Sequence, residues 1–279
     1  MSAQTIDPGL YAGEPAARGG IGLPINLNLE LTDLCNIKCR MCGQAHNPKV
    51  HNLQPNSFMK WEVWKASIDS LADYEDEVSL CPHWLGEPCL HPDFDRFIRY
   101  AFDNNKDNRL FRHFKLHTNG SLLNDERIET LLHCANRKDM AEDTFRFVHF
   151  SVDAYSPGVY HEIKKYDYGE RVYRNILRLL QKREEGGHQL PRVTNAFIVM
   201  PENQHEARWF LDYWTRQFEL LSLDFDVVYD WPQRVKDNLY FRRLHQADQA
   251  AADRLHRIVL DDLDLLPLDA PGTFIEESF

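Results

Sequence analysis

Residues 25–43 read INLNLELTDLCNIKCRMCG, a short predicted strand that runs directly into a loop with three cysteines. The strand is predicted over residues 25–31. In the loop, gaps of three and two residues separate Cys35, Cys39 and Cys42. Each gap spans up to ~10 Å when extended, so a short loop can wrap three thiolates around one metal centre. Metal binding is therefore the first functional hypothesis for this chain.

Strand-like and helix-like segments alternate along the chain. Strands are predicted at residues 25–31, 77–83, 113–117, 147–152, 192–199 and 224–229. Helices are predicted at residues 61–71, 92–103, 125–134, 170–183, 205–220 and 245–260. Pro92 suits a first helical position, and Asn124 or Asp125 can cap the third helix.

This rhythm predicts an α/β fold with parallel strands. We expect a partial (β/α)6 TIM-like barrel, although an open doubly wound sheet gives the same pattern. Both architectures bind ligands at the carboxyl ends of the strands, where the cysteine loop lies.

Composition limits the possible functions. The chain has 279 residues, 43% of them hydrophobic, and a formal net charge of −11, which disfavours nucleic acid as a partner. No predicted membrane span or secretory signal is found, so a cytoplasmic protein is expected. In that compartment the six cysteines do not suggest a disulfide framework. We expect an arm at residues 1–24, a core domain at 25–230 and a helical, acidic extension at 231–279, with the start of a further C-terminal domain as the alternative for the last segment.

Three clustered cysteines allow two kinds of metal site. A structural zinc site usually takes four protein ligands, whereas an iron–sulfur cubane can take three thiolates and leave one iron open. Because no fourth cysteine is obvious, the open cluster is favoured. Zinc remains the alternative, since His46 or another cysteine could supply the fourth ligand.

The spacing Cys35-x-x-x-Cys39-x-x-Cys42 after a first strand resembles the cluster motif of the radical SAM superfamily. Met41 stands where the family often has an aromatic residue. Later motifs follow in the family's order. The resemblance implies contacts to S-adenosylmethionine from strand ends, at Gly86, Glu87, Pro88, Asn119, Ser151, Asp153, Asn203 and Met41.

In the family's Gly-Gly-Glu-Pro motif, a carboxylate receives the amino group of the methionine moiety. Gly86-Glu87-Pro88 is similar to it, with Leu85 in place of the first glycine. The sequence most resembles the SPASM or twitch branch, yet no cysteine-rich segment for auxiliary clusters follows residue 229.

The resemblance implies a [4Fe–4S] cluster on the three cysteines, and reductive cleavage of S-adenosylmethionine to a radical that abstracts a hydrogen atom. It also implies an electron donor of the flavodoxin or ferredoxin type, and a peptide or small-metabolite substrate. A non-catalytic zinc-binding module is the alternative. Candidate substrate contacts share a position at strand ends: His83, Trp84, His117, His149, Tyr155, Tyr229 and Asp230. Cys134 is expected in the core, and Cys81 and Cys89 flank the second-strand motif.

Overall fold

The computed structural model describes residues 25–43, 57–74, 76–229 and 235–266. The predicted arm at 1–24, the candidate ligand His46, the candidate contact Asp230 and most of the acidic end of the chain lie outside these residues.

The described residues form one open, parallel sheet of seven strands in the order β1-β2-β3-β4-β5-β7-β6. The strands are β1 (Ile25–Asn28), β2 (Val78–Cys81), β3 (His113–Thr118), β4 (Phe145–Ser151), β5 (Arg192–Val199), β6 (Phe225–Val228) and β7 (Asp237–Arg243). The α/β class and the parallel pairing are as predicted. The two ends of the sheet, β1 and β6, do not meet, so the barrel is not closed.

Helices connect most of the strands. They are α1 (Trp61–Ser70), α2 (Phe94–Asn104), α3 (Asp125–Ala135), α4 (Pro157–Lys164), α5 (Gly169–Glu185), α6 (Ala207–Leu220) and α7 (Gln249–Asp262). The Asn124 side chain caps α3 by accepting from the backbone N–H of Arg127. By contrast, α2 begins at Phe94, so Pro92 precedes the helix instead of opening it.

The two faces of the sheet differ in chemistry. In β3, Phe114 and Leu116 belong to the hydrophobic core, whereas Lys115 and His117 alternate with them on the opposite face. The same alternation holds in β7, where Leu239 and Phe241 are core residues. The helices and the core therefore lie on one face, and the other, which we call the polar face, carries mostly polar side chains.

One strand and one α-helix of the structure were not predicted. The strand β7 was not predicted, and it lies between β5 and β6. The sheet therefore continues beyond residue 230, where the core was expected to end. The short helix α4 was also not predicted, although Ser156 caps it and Pro157 opens it.

Candidate active site

The cysteine loop leaves β1 and is fixed against the end of α4. The backbone N–H groups of Lys38 and Arg40 donate to the carbonyl oxygens of Lys164 and Ile163, at 3.2 and 2.8 Å. The last carbonyl groups of a helix have no hydrogen-bond partners within the helix. The two N–H groups of the loop therefore supply partners for carbonyl groups at the end of α4. Within the loop, the N–H of Cys42 donates to the carbonyl of Cys39. The unpredicted helix thus supports the loop on one side.

The three loop thiols differ from the other cysteines of the chain. Cys35, Cys39 and Cys42 are free and partly exposed, while Cys81, Cys89 and Cys134 are free and buried. Cys134 lies in the hydrophobic core, as predicted. Burial, together with the negative charge of Glu87, raises the pKa of Cys35 to about 12. Burial also raises the pKa of Cys39, and the charge of Lys164 opposes that rise.

Gly86 follows β2 and lies directly against the backbone that leads into the cysteine loop. A Cβ atom built there would lie 2.1 Å from the carbonyl oxygen of Thr32 and 2.6 Å from that of Leu34. Only glycine permits this approach. The N–H of Gly86 also donates to the Glu30 carboxylate, at 2.7 Å.

Glu87 forms hydrogen bonds that connect the segments following β2 and β3 to the cysteine loop. Its N–H donates to the carbonyl of Leu34 at 2.8 Å. Its carboxylate is 2% exposed and accepts from the N–H of Cys89, the hydroxyl of Thr118 and the N–H of Asn119. Burial raises the pKa of Glu87, and these three donors partly offset the rise. Since the carboxylate is engaged within the chain, its predicted role on an ammonium group stays a prediction.

Asn119 connects that carboxylate to the cysteine loop. Its side-chain amide donates to Asn36 at 2.9 Å and lies 4.0 Å from the sulfur of Cys35. Its side-chain oxygen accepts from the N–H and the hydroxyl of Ser121. The structure therefore brings Asn119 to the loop, while its predicted contact with the cofactor stays a prediction. Asn36 and Ser121 were not anticipated.

A buried ion pair lies beside Cys39. The ammonium of Lys164 is 2.5 Å from Asp153 and 3.0 Å from the hydroxyl of Ser151. Both charged side chains are almost fully buried. Burial disfavours the ammonium, but the charges of Asp153 and Cys39 outweigh that effect and raise the pKa of Lys164. Asp153 adopts a positive φ of 62°, a conformation that Asp tolerates better than most residues.

The side chain of Asn203 forms hydrogen bonds with the backbone at the ends of β4 and β5. Its amide donates to the carbonyls of Asp153 and Ile198, both at 2.8 Å, and its oxygen accepts from the N–H of Met200. Both amide hydrogens are thus used within the chain. Its predicted contact with the cofactor stays a prediction.

The predicted substrate contacts that the structure describes lie in three different places. His83, His117 and His149 lie next to one another on the polar face, with ring centroids 5.5 and 4.8 Å apart. Trp84 and Tyr155 are exposed at the surface instead, and Tyr229 packs against the core.

The donor set of the loop suits a thiolate-bound cluster. Three free thiols share one short loop, a fixed ammonium lies beside one of them, and Gly86 brings a second strand end against the loop backbone. Among the described residues, no three His, Cys, Asp or Glu side chains converge on one metal-ion position. A cubane does not need that convergence, because its thiolates bind different irons.

Comparison with known protein families shows which family the chain belongs to. The family model described as the radical SAM superfamily matches residues 29–213, which is more than half of the chain. The chain belongs to the radical SAM superfamily. It is accordingly an enzyme, and its cofactors are the family's [4Fe–4S] cluster and S-adenosylmethionine. The zinc-module hypothesis is set aside. Met41, Gly86, Pro88 and the other cofactor contacts named above stay predictions at the level of single residues.

The individual relatives have low sequence identity to this chain. A protein of Pyrococcus furiosus, "Tungsten-containing aldehyde ferredoxin oxidoreductase cofactor-modifying protein", is 26% identical over 220 residues, covering 77% of this chain and 54% of that protein. "Antilisterial bacteriocin subtilosin biosynthesis protein AlbA" of Bacillus subtilis is 27% identical over 109 residues, covering 39% of this chain and 21% of that protein. The chain thus spans about half or less of the length of these two relatives.

A solved structure, "Native anSMEcpe with bound AdoMet and Kp18Cys peptide", has a similar fold. The TM-score is 0.51 at 18% identity, covering 79% of this chain and 51% of that chain. In the part of our chain that the structure describes, no helix is both long and apolar enough to cross a membrane.

Proposed function

We propose that this chain reductively cleaves S-adenosylmethionine and abstracts a hydrogen atom from a peptide or a small metabolite. The observation that carries the proposal is the convergence of four segments at one edge of the sheet. The cysteine loop, the Gly86-Glu87 turn and Asn119 are joined by hydrogen bonds, and the loop also rests on the end of α4 beside the Lys164–Asp153 pair.

In the proposed site, Cys35, Cys39 and Cys42 hold the cluster, which supplies an electron and an open iron for S-adenosylmethionine. The chain's own residues fix the surroundings. Glu87 and Asn119 set the position of the loop through hydrogen bonds, and α4 supports it from the other side. Lys164 adds a buried positive charge beside Cys39, which offsets negative charge on bound thiolates.

A peptide substrate is supported by the relatives. AlbA is named for the biosynthesis of a bacteriocin, and the anSMEcpe structure holds a peptide. The cofactor-modifying name of the Pyrococcus protein supports a small molecule instead. The proposal also includes a cytoplasmic location, membership of a SPASM-like branch, and an electron donor of the flavodoxin or ferredoxin type.

Metal analysis of anaerobically purified and reconstituted protein tests the proposed site. We expect about four irons and about four sulfides per chain, and an electron paramagnetic resonance signal of the reduced protein that changes when S-adenosylmethionine is added. Cys134→Ala is the matched control, because its thiol lies in the core and should leave iron content unchanged. Zinc without sulfide in the loop would contradict the proposal.

A further inference from the structure

Three polar side chains form a closed ring of hydrogen bonds against the first cysteine of the loop. The side-chain amide of Asn119 donates to the side-chain oxygen of Asn36, which directly follows Cys35, at 2.9 Å. The Asn36 amide donates to the hydroxyl of Ser121 at 2.9 Å, and that hydroxyl donates to the side-chain oxygen of Asn119 at 2.6 Å. We call Asn36, Asn119 and Ser121 the amide network.

The orientation of the Asn119 amide is fixed by a backbone group. The backbone N–H of Ser121 donates to the side-chain oxygen of Asn119 at 2.9 Å. Because a backbone N–H can only donate, the oxygen faces Ser121 and the NH2 group faces the cysteine loop. The backbone N–H of Asn119 is held in turn by the carboxylate of Glu87, at 2.7 Å. Asn119 is 6% exposed, so little water competes for its NH2 group.

One hydrogen of that NH2 group remains for Cys35. An amide nitrogen carries two hydrogens, and Asn36 receives one of them. The same nitrogen lies 4.0 Å from the sulfur of Cys35, as in a long hydrogen bond. The backbone N–H of Ile37 bonds to Cys35 as well. The sulfur therefore has N–H donors from its own loop and from the segment that follows β3.

These donors matter because a reduced cluster carries one more negative charge than an oxidised one. Cys35 lies near the buried carboxylate of Glu87, whose charge opposes further negative charge on the sulfur. Cys39 differs, since the ammonium of Lys164 lies beside it. Hydrogen bonds to the sulfurs are one of the factors that set the reduction potential of an iron–sulfur cluster. A donor at Cys35 stabilises the more negative state and offsets the effect of Glu87.

We propose that Asn119 donates its second amide hydrogen to the Cys35 sulfur and thereby raises the reduction potential of the cluster. Asn119 acts through Cys35 and is therefore a positioning residue. This inference rests on the cluster of the proposed function and deepens it, because it names a residue that controls how easily the electron enters the site. It is distinct from the contact with S-adenosylmethionine that the sequence predicts for Asn119.

The test is an anaerobic redox titration of reconstituted protein without S-adenosylmethionine, followed by the electron paramagnetic resonance signal of the reduced cluster. Asn119→Ala removes the donor, so the equilibrium constant for one-electron reduction should fall about threefold, which places the midpoint potential about 30 mV lower. Asn119→Asp keeps the shape of the side chain and replaces the amide nitrogen by an oxygen, so its midpoint should fall at least as far. The second variant provides the result if alanine prevents folding.

Ser121→Ala is the matched control. It removes the hydroxyl that bonds to Asn36 and Asn119, but the backbone N–H of residue 121 still holds the Asn119 oxygen. The amide keeps its orientation, so the midpoint potential should equal that of the wild type even if the thermal unfolding midpoint falls.

An unchanged potential in the Asn119 variants would overturn the inference. An equal fall in Ser121→Ala would do the same, because loss of the amide network would then explain the shift. The expected shifts in a protein that never forms 5′-deoxyadenosine would support the inference and count against the proposed function alone. Conversely, a protein that forms this product but shows no shift would count against the inference alone.

Discussion

The free energy of unfolding should fall by ~3–5 kcal/mol when Lys164 is replaced by methionine, because Asp153 then becomes a buried charge without its partner. Methionine preserves most of the side-chain volume, so the loss reports the charge and not a cavity. The change also weakens the support of the cysteine loop, since the backbone of residues 38 and 40 bonds to the end of α4. Urea unfolding at pH 7 measures the stability, and iron content after reconstitution measures the loop.

Lys65→Met is the control for this prediction. Lys65 pairs with Asp69 one helical turn away, but both side chains are largely exposed. Water screens such a pair, so the urea midpoint should stay close to that of the wild type. Equal stability of Lys164→Met and the wild type would show that the buried pair does not hold this edge of the sheet together.

Gly86→Ala should destabilise the protein by about 3 kcal/mol or more, because the added methyl group meets backbone atoms. The nearest is the carbonyl oxygen of Thr32 at 2.1 Å, followed by that of Leu34 at 2.6 Å. The Leu34 carbonyl already accepts from the N–H of Glu87, so it cannot move away without losing that bond. We therefore expect the loop to shift and iron incorporation to fall, as read from urea unfolding and from iron analysis.

Gly158→Ala makes the same chemical change where there is space for it. Gly158 lies in α4, and nothing lies within 4 Å of a Cβ built there. Alanine is favoured over glycine in helices, so stability should be unchanged or slightly higher. A tolerated Gly86→Ala with normal iron content would contradict the close approach of the two segments.

The sequence predicts the cysteine loop and most of the sheet well, because each depends on local signals. The strand β5 is predicted at its observed bounds, and β3 within one residue. The turn at Gly86 follows from residue type and from its position after β2. Such features need no knowledge of the tertiary partner.

Features that depend on tertiary partners are harder to predict. The strand β7 carries Asp237, Asn238, Arg242 and Arg243, which suggest exposure, yet Asp237 is buried against the guanidinium of Arg183. Lys164 resembles a surface lysine until α4 is recognised, and the Ser156-Pro157 start of that helix was the available signal. The carboxylate of Glu87 and the amide of Asn203 turn out to be engaged within the chain, which motif similarity alone does not reveal.

Formation of 5′-deoxyadenosine from S-adenosylmethionine is the most direct test of the central claim. The reconstituted, reduced wild type should form it without oxygen, and a Cys35→Ala, Cys39→Ala, Cys42→Ala variant should form none while remaining folded by circular dichroism. Absence of product from a wild type with a fully loaded cluster, or equal product from the triple variant, would contradict the claim that these three cysteines hold the reactive cluster.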